Sequence, residues 1–599
     1  MSGSANIQSG GLVTFAIKVG GNVIPDENQV LSVEIESAVN RISRATISIR
    51  DGEASSGTFK ASSSETFVPG AKITIEAGYD SKNQIIFKGI ITGQFVQINN
   101  AIGSRLIVEC RDEAIKMTVG RKTLTFAKQK DSDIISSIIG NYGGLSSEVT
   151  ATTTQWPEQV QYYTSDWDFT LMRAEANGLI VTTVNGKLSV VKPDAETSSA
   201  LTLSYGDNIY EINADLNSTT QLSSVQALSW DYKTQAVVKG ESSNSQAGPG
   251  NLSSKKLSEV VGLSNYILQT SANLQQADLT NWTKAELVKS NYSKIRGEVK
   301  CQGNSLVVPG KYFTLKGLGT RFDGDHFIAG IKHVIAEGNW FTEVEFGISP
   351  NWFSYETDIM APPASGLLPG TRGLFNATVK KIYEDPDNQY RIQIDIPLFG
   401  SQGEGIWARL TNFYSTSGAG AFFLPEVGDE VVVGFLGEDP RFPIILGSMY
   451  SSSKIKPFEG LDPNEKNSLK AIVSKQGIYI QFDDENKIFT IKTPGNNTIV
   501  VSDKDKKISI QDENSNSIEL SSDGITMKSP KNISIEADQN VSIKGTQGVS
   551  IQSSPGDVQI KGTNVKINAE AEFSAQGSAA ASVQGGGELT LKGAMVMIN

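Results

Sequence analysis

Residues 531–552 read KNISIEADQNVSIKGTQGVSIQ, a run in which two apolar residues one position apart recur at short, nearly constant intervals. The pairing extends both ways from this stretch: Ile508/Ile510, Ile518/Leu520, Ile525/Met527, Ile533/Ile535, Val541/Ile543, Val549/Ile551, Val558/Ile560 and Val565/Ile567. After a first step of 10 residues the steps are 7, 8, 8, 8, 9 and 7. Alternation over three residues followed by Gly, Asn, Asp, Ser or Pro specifies a short strand with one apolar face and then a turn. One such strand cannot hide its apolar face alone. Either successive turns of one chain stack into a solenoid or several chains wrap together, and the period leaves both open. The regular Ile/Val pairs exclude a disordered low-complexity tail.

Ahead of this run, residues 372–458 predict a compact barrel. Five short strands (377–382, 390–396, 406–410, 430–435 and 444–446) fit an OB-type fold. Such barrels often bind single-stranded nucleic acid, but from Arg372 to Tyr450 there are 6 basic residues against 10 acidic ones. That balance cannot form a basic groove, so the barrel is expected to be structural. Residues 361–371, which include Ala361-Pro362-Pro363-Ala364-Ser365-Gly366, read as a linker, and 459–475 as a connector to a needle over 476–599.

The first 360 residues read as mostly strands with three helices, over 134–142, 166–177 and 272–292. Residues 67–100 read as strand, turn at 79–83, and further strands with a break at Gly93. A polar stretch, 240–254, reads as a long loop. Turn chemistry hints at an internal duplication: Pro69-Gly70 leads through Phe87-Lys88-Gly89 to Gly93, and Pro309-Gly310 through Phe322-Asp323-Gly324 to Gly330.

Composition narrows the function. Among 599 residues there are 57 glycines, 2 cysteines and 2 histidines, with a net charge of −12. An acidic chain is a poor partner for nucleic acid. Cys110 and Cys301 sit in apolar runs and read as small buried hydrophobes. His326 and His333 lack nearby ligands at metal spacing and read as strand positions. The acidic runs Glu384-Asp385-Pro386-Asp387-Asn388 and Asp483-Asp484-Glu485-Asn486 read as solvated turns. No zinc-protease motif, nucleophile elbow or phosphate loop is present. No catalytic residue, metal site or cofactor is therefore expected. The start, Met1-Ser2-Gly3-Ser4-Ala5-Asn6-Ile7-Gln8, has neither the charge nor the apolar core of a secretory signal, so synthesis in the cytoplasm is expected.

The barrel carries Phe422-Phe423-Leu424-Pro425-Glu426-Val427-Gly428-Asp429-Glu430-Val431, Gly434-Phe435, Asp439-Pro440-Arg441-Phe442-Pro443 and Leu446-Gly447-Ser448-Met449-Tyr450. This run resembles the VgrG spike family of type VI secretion systems and the spikes of contractile phage tails and extracellular injection particles. Phe67-Val68-Pro69-Gly70, Phe87-Lys88-Gly89-Ile90-Ile91-Thr92-Gly93, Cys110-Arg111-Asp112, Asp166-Trp167-Asp168-Phe169 and Trp340-Phe341-Thr342-Glu343 resemble its hub domain. The resemblance implies a mainly β chain with some helices: a duplicated β-barrel hub, an OB-fold barrel, and a triple-stranded intertwined β-helical needle. It implies a homotrimer that joins inner tube and baseplate proteins to a membrane-piercing needle, inside an injection particle expelled through a target envelope. The needle core would be formed by Ile508, Ile510, Ile518, Leu520, Ile533, Ile535, Val541, Ile543, Val549, Ile551, Val558, Ile560, Val565 and Ile567.

Gly593, Ala594, Met595, Val596, Met597, Ile598 and Asn599 would dock a PAAR-repeat tip protein. The small residues Ala579-Ala580-Ala581 and Gly585-Gly586-Gly587 before them suit a narrowing shaft. Relatives that carry a lysozyme between barrel and needle, or a toxin beyond the needle, have inserts this sequence lacks. A carrier that mainly binds toxin cargo is the alternative reading, and a phage spike with envelope-degrading activity a distant one. The sequence leaves open which type of contractile system is served.

Overall fold

The computed structural model describes residues 11–101, 103–193, 198–245, 248–356, 358–400, 403–451, 454–461 and 463–598. The chain divides into two compact units, 1–448 and 449–599.

Alternation builds the first unit. Val33 and Ile35 point inward between the half-buried Glu34 and Glu36, and Ile47, Ile49, Leu106, Val108 and Cys110 fill the same core from neighbouring strands. The resulting sheet has 13 strands. Along it, Val30–Ala38, Arg44–Arg50, Gly103–Arg111, Lys82–Asn99 and Lys72–Tyr79 lie side by side. A second group repeats that order: Ile209–Leu216, Ile295–Gln302, Asn339–Phe346, Gly324–Ala336 and Tyr312–Lys316. Its own core holds Phe313, Phe346, Val299 and Cys301. The groups join where Gly330–Ala336 pairs antiparallel with Ser32–Ala38.

The duplication extends to irregularities. Each long strand slips register against its following neighbour at an equivalent point, between Ile91 and Gly93 and between Ile328 and Gly330. Each is clasped by the turn before its partner strand. Gly70 N–H donates to Ile91 O at 2.8 Å and Gly310 N–H to Ile328 O at 2.9 Å. The return bonds, Ile91 N–H to Ala71 O and Ile328 N–H to Lys311 O, are 2.9 and 2.8 Å. Gly93 thus matches Gly330, as the turn residues suggest. The middle of the expected correspondence shifts by two residues, because Phe87 opposes Ile75 while its structural equivalent opposite Leu315 is Gly324. The expected break at Gly93 is a bulge inside one continuous strand.

Among the described residues four α-helices flank the strands, one more than expected: α1 Asp131–Gly140, α2 Asp166–Ala176, α3 Ser254–Val261 and α4 Gln276–Tyr292. Helix α1 starts before the expected Ile134. Asp131 lies inside its first turn, where its carboxylate accepts from Arg173 Nε and Nη2 at 2.8 Å each, from Asn177 Nδ2 at 2.9 Å and from Trp156 Nε1 at 3.2 Å. Helix α2 keeps its expected start, with Ser165 Oγ accepting from Asp168 N–H at 3.1 Å. The expected loop over 240–254 begins instead as the end of strand Ala236–Ser243 and runs into α3, capped by Ser253 Oγ; 246 and 247 lie outside the described residues. Gly240 is required there: a Cβ would sit 2.5 Å from Leu279 Cβ on α4. Helix α4 begins at Gln276, not at the expected Ala272.

Phe375–Lys381, Ile392–Asp395, Ile406–Leu410, Pro443–Ser448 and Glu430–Phe435 close into the expected five-stranded barrel around Val379, Ile392, Ile394, Val431, Val433 and Ile445. In the second unit strand pairing starts at Leu469–Val473, ahead of the expected needle start at 476, because Leu469–Val473 pairs antiparallel with Tyr479–Asp483.

Both histidines occupy strand Gly324–Ala336. His333 is buried, with Nδ1 2.8 Å from Thr342 Oγ1, and burial pushes its pKa down to about 4. A base whose folded pKa lies below its unfolded value near 6.5 contributes stability above that value and loses it as pH falls. The first unit should therefore lose on the order of 3 kcal/mol between about pH 6.5 and 4 from this site. The structural equivalent of His333 in the first strand group is Val96. His333→Val should flatten that part of the pH profile of denaturant unfolding, whereas an unchanged slope would place the titration elsewhere.

Candidate functional site: an unpartnered shaft and its tip

The second unit begins as a meander of seven antiparallel strands of five residues each, from Leu469–Val473 to Gly524–Lys528. Its turn carboxylates are occupied. Asp483 accepts from Asn486 N–H at 3.0 Å and Nδ2 at 2.8 Å, while Asp484 and Glu485 pair with Lys470 and Lys466. In the barrel, Asp385 accepts from the backbone of Asp387, Gln389 and Arg391 and from the Arg391 guanidinium. The Arg391 guanidinium beside it holds that carboxyl well below the usual range. Both acidic runs are turns stitched by their own neighbours.

Beyond Lys528 no strand is assigned among the described residues; instead the chain bends every seven to nine residues, at 530–531, 538–539, 546–547, 554–556, 563, 570–571, 578–579, 586–587 and 594. The exposure of the apolar pairs repeats with the bends. The first members of the apolar pairs, Ile533, Val541, Val549, Val558 and Val565, are 52–54% exposed. The second members, Ile535, Ile543, Ile551, Ile560 and Ile567, are 63–70% exposed. Ile508, Ile510 and Leu520 are exposed too, and Ile518 is half-buried. Among the described residues after Ser448, no apolar side chain is buried.

These side chains are the ones expected to form a needle core shared between copies, and a single chain leaves them uncovered. None of the fourteen residues is buried, and Ile551 and Ile560 are the most exposed of them, at 70% each. The reason is physical: among the described residues, no other segment of the same chain covers these pairs. One chain alone builds no core from these side chains.

The bends explain a third sequence feature. Two residues after each pair stands a small residue: Ala537, Gly545, Ser553, Gly562 and Ala569. At Gly545 the backbone folds so tightly that a Cβ would lie 2.2 Å from Gly548 O; Gly577 meets Ala580 O at 2.2 Å and Gly585 meets Glu588 O at 2.5 Å. These last two show that the repeat continues through the expected narrowing segment, as Phe573/Ala575, Ala581/Val583 and Leu589/Leu591. Sequence reading missed this continuation because Phe and Ala break the Ile/Val signature, although the spacing of the small residues preserves it.

At the tip, Met595, Val596, Met597 and Ile598 are all strongly exposed. Gly593 is close to Met595 O, 3.1 Å from where a Cβ would stand, and Ala594 lies at the last bend. Asn599 lies outside the described residues. No group of three or more His, Cys, Asp or Glu that could hold a metal occurs among the described residues. No helix among them is long and apolar enough to cross a membrane.

Comparison with known proteins places these parts. Residues 375–450 match the type VI secretion system/phage-baseplate injector OB domain, and 487–547 match the phage baseplate V C-terminal trimerisation domain. The type VI secretion spike protein VgrG1b of Pseudomonas aeruginosa is 23% identical over 216 residues, 34% of this chain and 28% of that protein. VgrG3 of Vibrio cholerae is 30% identical over 105 residues, 16% of this chain and 10% of that protein. The matched stretches thus span less than a third of either relative. The 43 kDa tail protein of prophage MuSo2 from Shewanella oneidensis aligns over 56% of this chain and 98% of its own, at 13% identity and a TM-score of 0.44.

A duplicated hub, an injector-type barrel and a repeat of the baseplate trimerisation type together define a VgrG-like spike protein. Residues 9–337, more than half of the chain, match the Alg8 N-terminal domain, and the chain belongs to that family.

Proposed function

We propose that three copies of this chain form the spike at the tip of a contractile injection machine, the hub meeting tube and baseplate and the shaft crossing the target envelope. The observation that carries this reading is the shaft itself. Its apolar pairs recur with the same exposure and, among the described residues, find no cover within their own chain. Fully burying one Ile or Val contributes about 1.5–3 kcal/mol, so each repeat left bare forfeits several kcal/mol that neighbouring copies would restore. The match of 487–547 to a trimerisation domain supports three copies.

The role is mechanical. The chain has no catalytic part in this reading: its buried charges are spent on structural pairs, such as Asp131 with Arg173 and Glu175 with Lys289. The protein is made in the cytoplasm, built into the particle, and expelled with it.

The exposed apolar run Met595–Ile598 is the dock for a separate tip protein of the PAAR-repeat type, since contiguous exposed apolar surface marks an interaction site. Deleting residues 593–599 should abolish capture of the cognate tip protein in a pull-down while the solution mass of the assembly stays unchanged. Undiminished capture by the shortened chain would place the dock elsewhere.

A further inference from the structure

The chain from Trp352 to Arg372 joins the hub to the barrel, and with Pro362, Pro363, Gly366, Pro369 and Gly370 its composition suits a tether between domains. The structure fastens it at successive points instead. Trp352 Nε1 donates to Glu286 on α4, and Phe353 N–H to Glu175 on α2. Beyond them the guanidinium of Arg121 takes hold. Its Nη2 donates to Asp358 O at 2.6 Å, and its Nη1 is shared among Ile359 O and Met360 O, each at 3.2 Å, and Tyr163 O at 3.0 Å. Three consecutive carbonyls of the departing chain are thereby tied to a carbonyl of the hub strand Gln155–Thr164.

The hub is shaped for this grip. A bulge in Gln155–Thr164 lies between Gln161 and Thr164, and within it Tyr163 stands at φ 43°, a left-handed conformation that a bulky residue rarely adopts. Strain of that kind persists only where the surroundings impose it. Here the Tyr163 carbonyl accepts from Arg121, and the Tyr163 ring lies beneath the same guanidinium, its centroid 5.6 Å from Cζ. Ile359 and Ala364 are only 5% and 2% exposed in a segment that otherwise faces solvent. The far end is folded onto the barrel. Ser365 N–H donates to Pro362 O and Leu367 N–H to Ala364 O, both at 3.0 Å, which closes a tight turn. Gly370 then passes so near this turn that a Cβ would stand 2.3 Å from Pro363 Cβ. Thr371 N–H donates to Glu438 O at 2.7 Å and Arg372 Nε to Glu438 Oε2 at 3.0 Å, in the turn that follows strand Glu430–Phe435.

We infer that Arg121 is the coupling residue between hub and barrel, and that it turns residues 358–372 into a strap holding the barrel in place on the hub, where the composition alone suggests a joint about which it could swing. A guanidinium suits the task. It stays charged at any pH the protein meets, and its planar fork reaches several carbonyls at once, which the single ammonium of a lysine cannot. Carbonyls accept without titrating, so the hold does not depend on pH. A spike driven end-on transmits thrust from hub through barrel to shaft, and a hinge between the first two would let the load bend the particle. That service rests on the spike reading above; the strap itself does not.

Limited digestion of the full-length protein with chymotrypsin tests it. Met360 and Leu367 are exposed cleavage sites within the strap, so the rate of cutting there reports how often the strap opens. Arg121→Ala removes hydrogen bonds from a charged donor and should speed that cutting by about tenfold or more, separating a hub fragment from one that carries the barrel. Arg121→Lys should fall between the two. Arg121 lies outside the hub cores, so circular dichroism and the hub's melting should be unchanged. Hydrogen exchange of the unaltered protein gives a reading free of substitutions: the amides of Ser365, Leu367 and Thr371 should exchange slowly. Fast exchange at these three, or a folded Arg121→Ala protein cut no faster than the original, overturns the coupling and leaves the spike reading intact. Cutting throughout the hub of the variant would show that Arg121 holds the hub's own fold, and overturns the coupling too. A well-folded monomer of the original protein with a slowly cut strap overturns the spike reading and leaves the coupling standing.

Discussion

Asp at both Ile535 and Ile543 should leave this protein monomeric. In a closed shaft the two positions face other copies, and each substitution buries a carboxylate with no counter-charge, costing several kcal/mol per site in every chain. Losses on that scale exceed what the remaining pairs supply over the same segment. The hub and barrel have their own buried cores and should stay folded, so circular dichroism should change little while the solution mass falls to one chain. Ile535→Val with Ile543→Val keeps the apolar face and should keep the assembly. An Asp variant that remains multimeric would mean these side chains face solvent in the assembled shaft.

The second large effect is expected in the hub. Lys289 on α4 pairs with Glu175 on α2, and all of Lys289, Glu175 and Glu286 are buried. Glu286 accepts from Trp352 Nε1 at 2.6 Å and Glu175 from Phe353 N–H at 2.8 Å, so the cluster also ties down the chain as it leaves the hub. Lys289→Met removes the cation paired with Glu175 and leaves two buried carboxylates, at a cost of about 3–5 kcal/mol near neutral pH. Burial already holds the Glu286 pKa above its ordinary value. A carboxyl with a raised folded pKa is destabilising while ionised, so the deficit should shrink as pH falls through that raised value. Denaturant midpoints of both proteins, measured from neutral to mildly acidic pH, check the size and the slope. A variant as stable as the original at pH 7 would mean the pair is solvated.

How much of this was legible beforehand differs from part to part, for physical reasons. The barrel strands were readable because turn signals such as Glu426-Val427-Gly428-Asp429 bracket alternating apolar residues that one core must absorb. The shaft's repeat was readable because a strict period leaves few structures. Its burial was not: the pairs from Ile533/Ile535 to Val565/Ile567, with Ile551 and Ile560 among them, announce an apolar face but not which chain covers it. Helix starts were less legible: Asp131 has the chemistry of a cap, yet a guanidinium from α2, forty-two residues on, claims its carboxylate. The polar stretch 240–254 concealed a strand end and the short helix α3, whose few apolar residues give a weak periodic signal.

Light scattering of the purified full-length protein tests the claim of a shared shaft most directly. A single species of three chain masses is the predicted result. A well-folded species of one chain mass would contradict it, because the apolar pairs from Ile508 to Ile567 would then stand exposed in a stable protein.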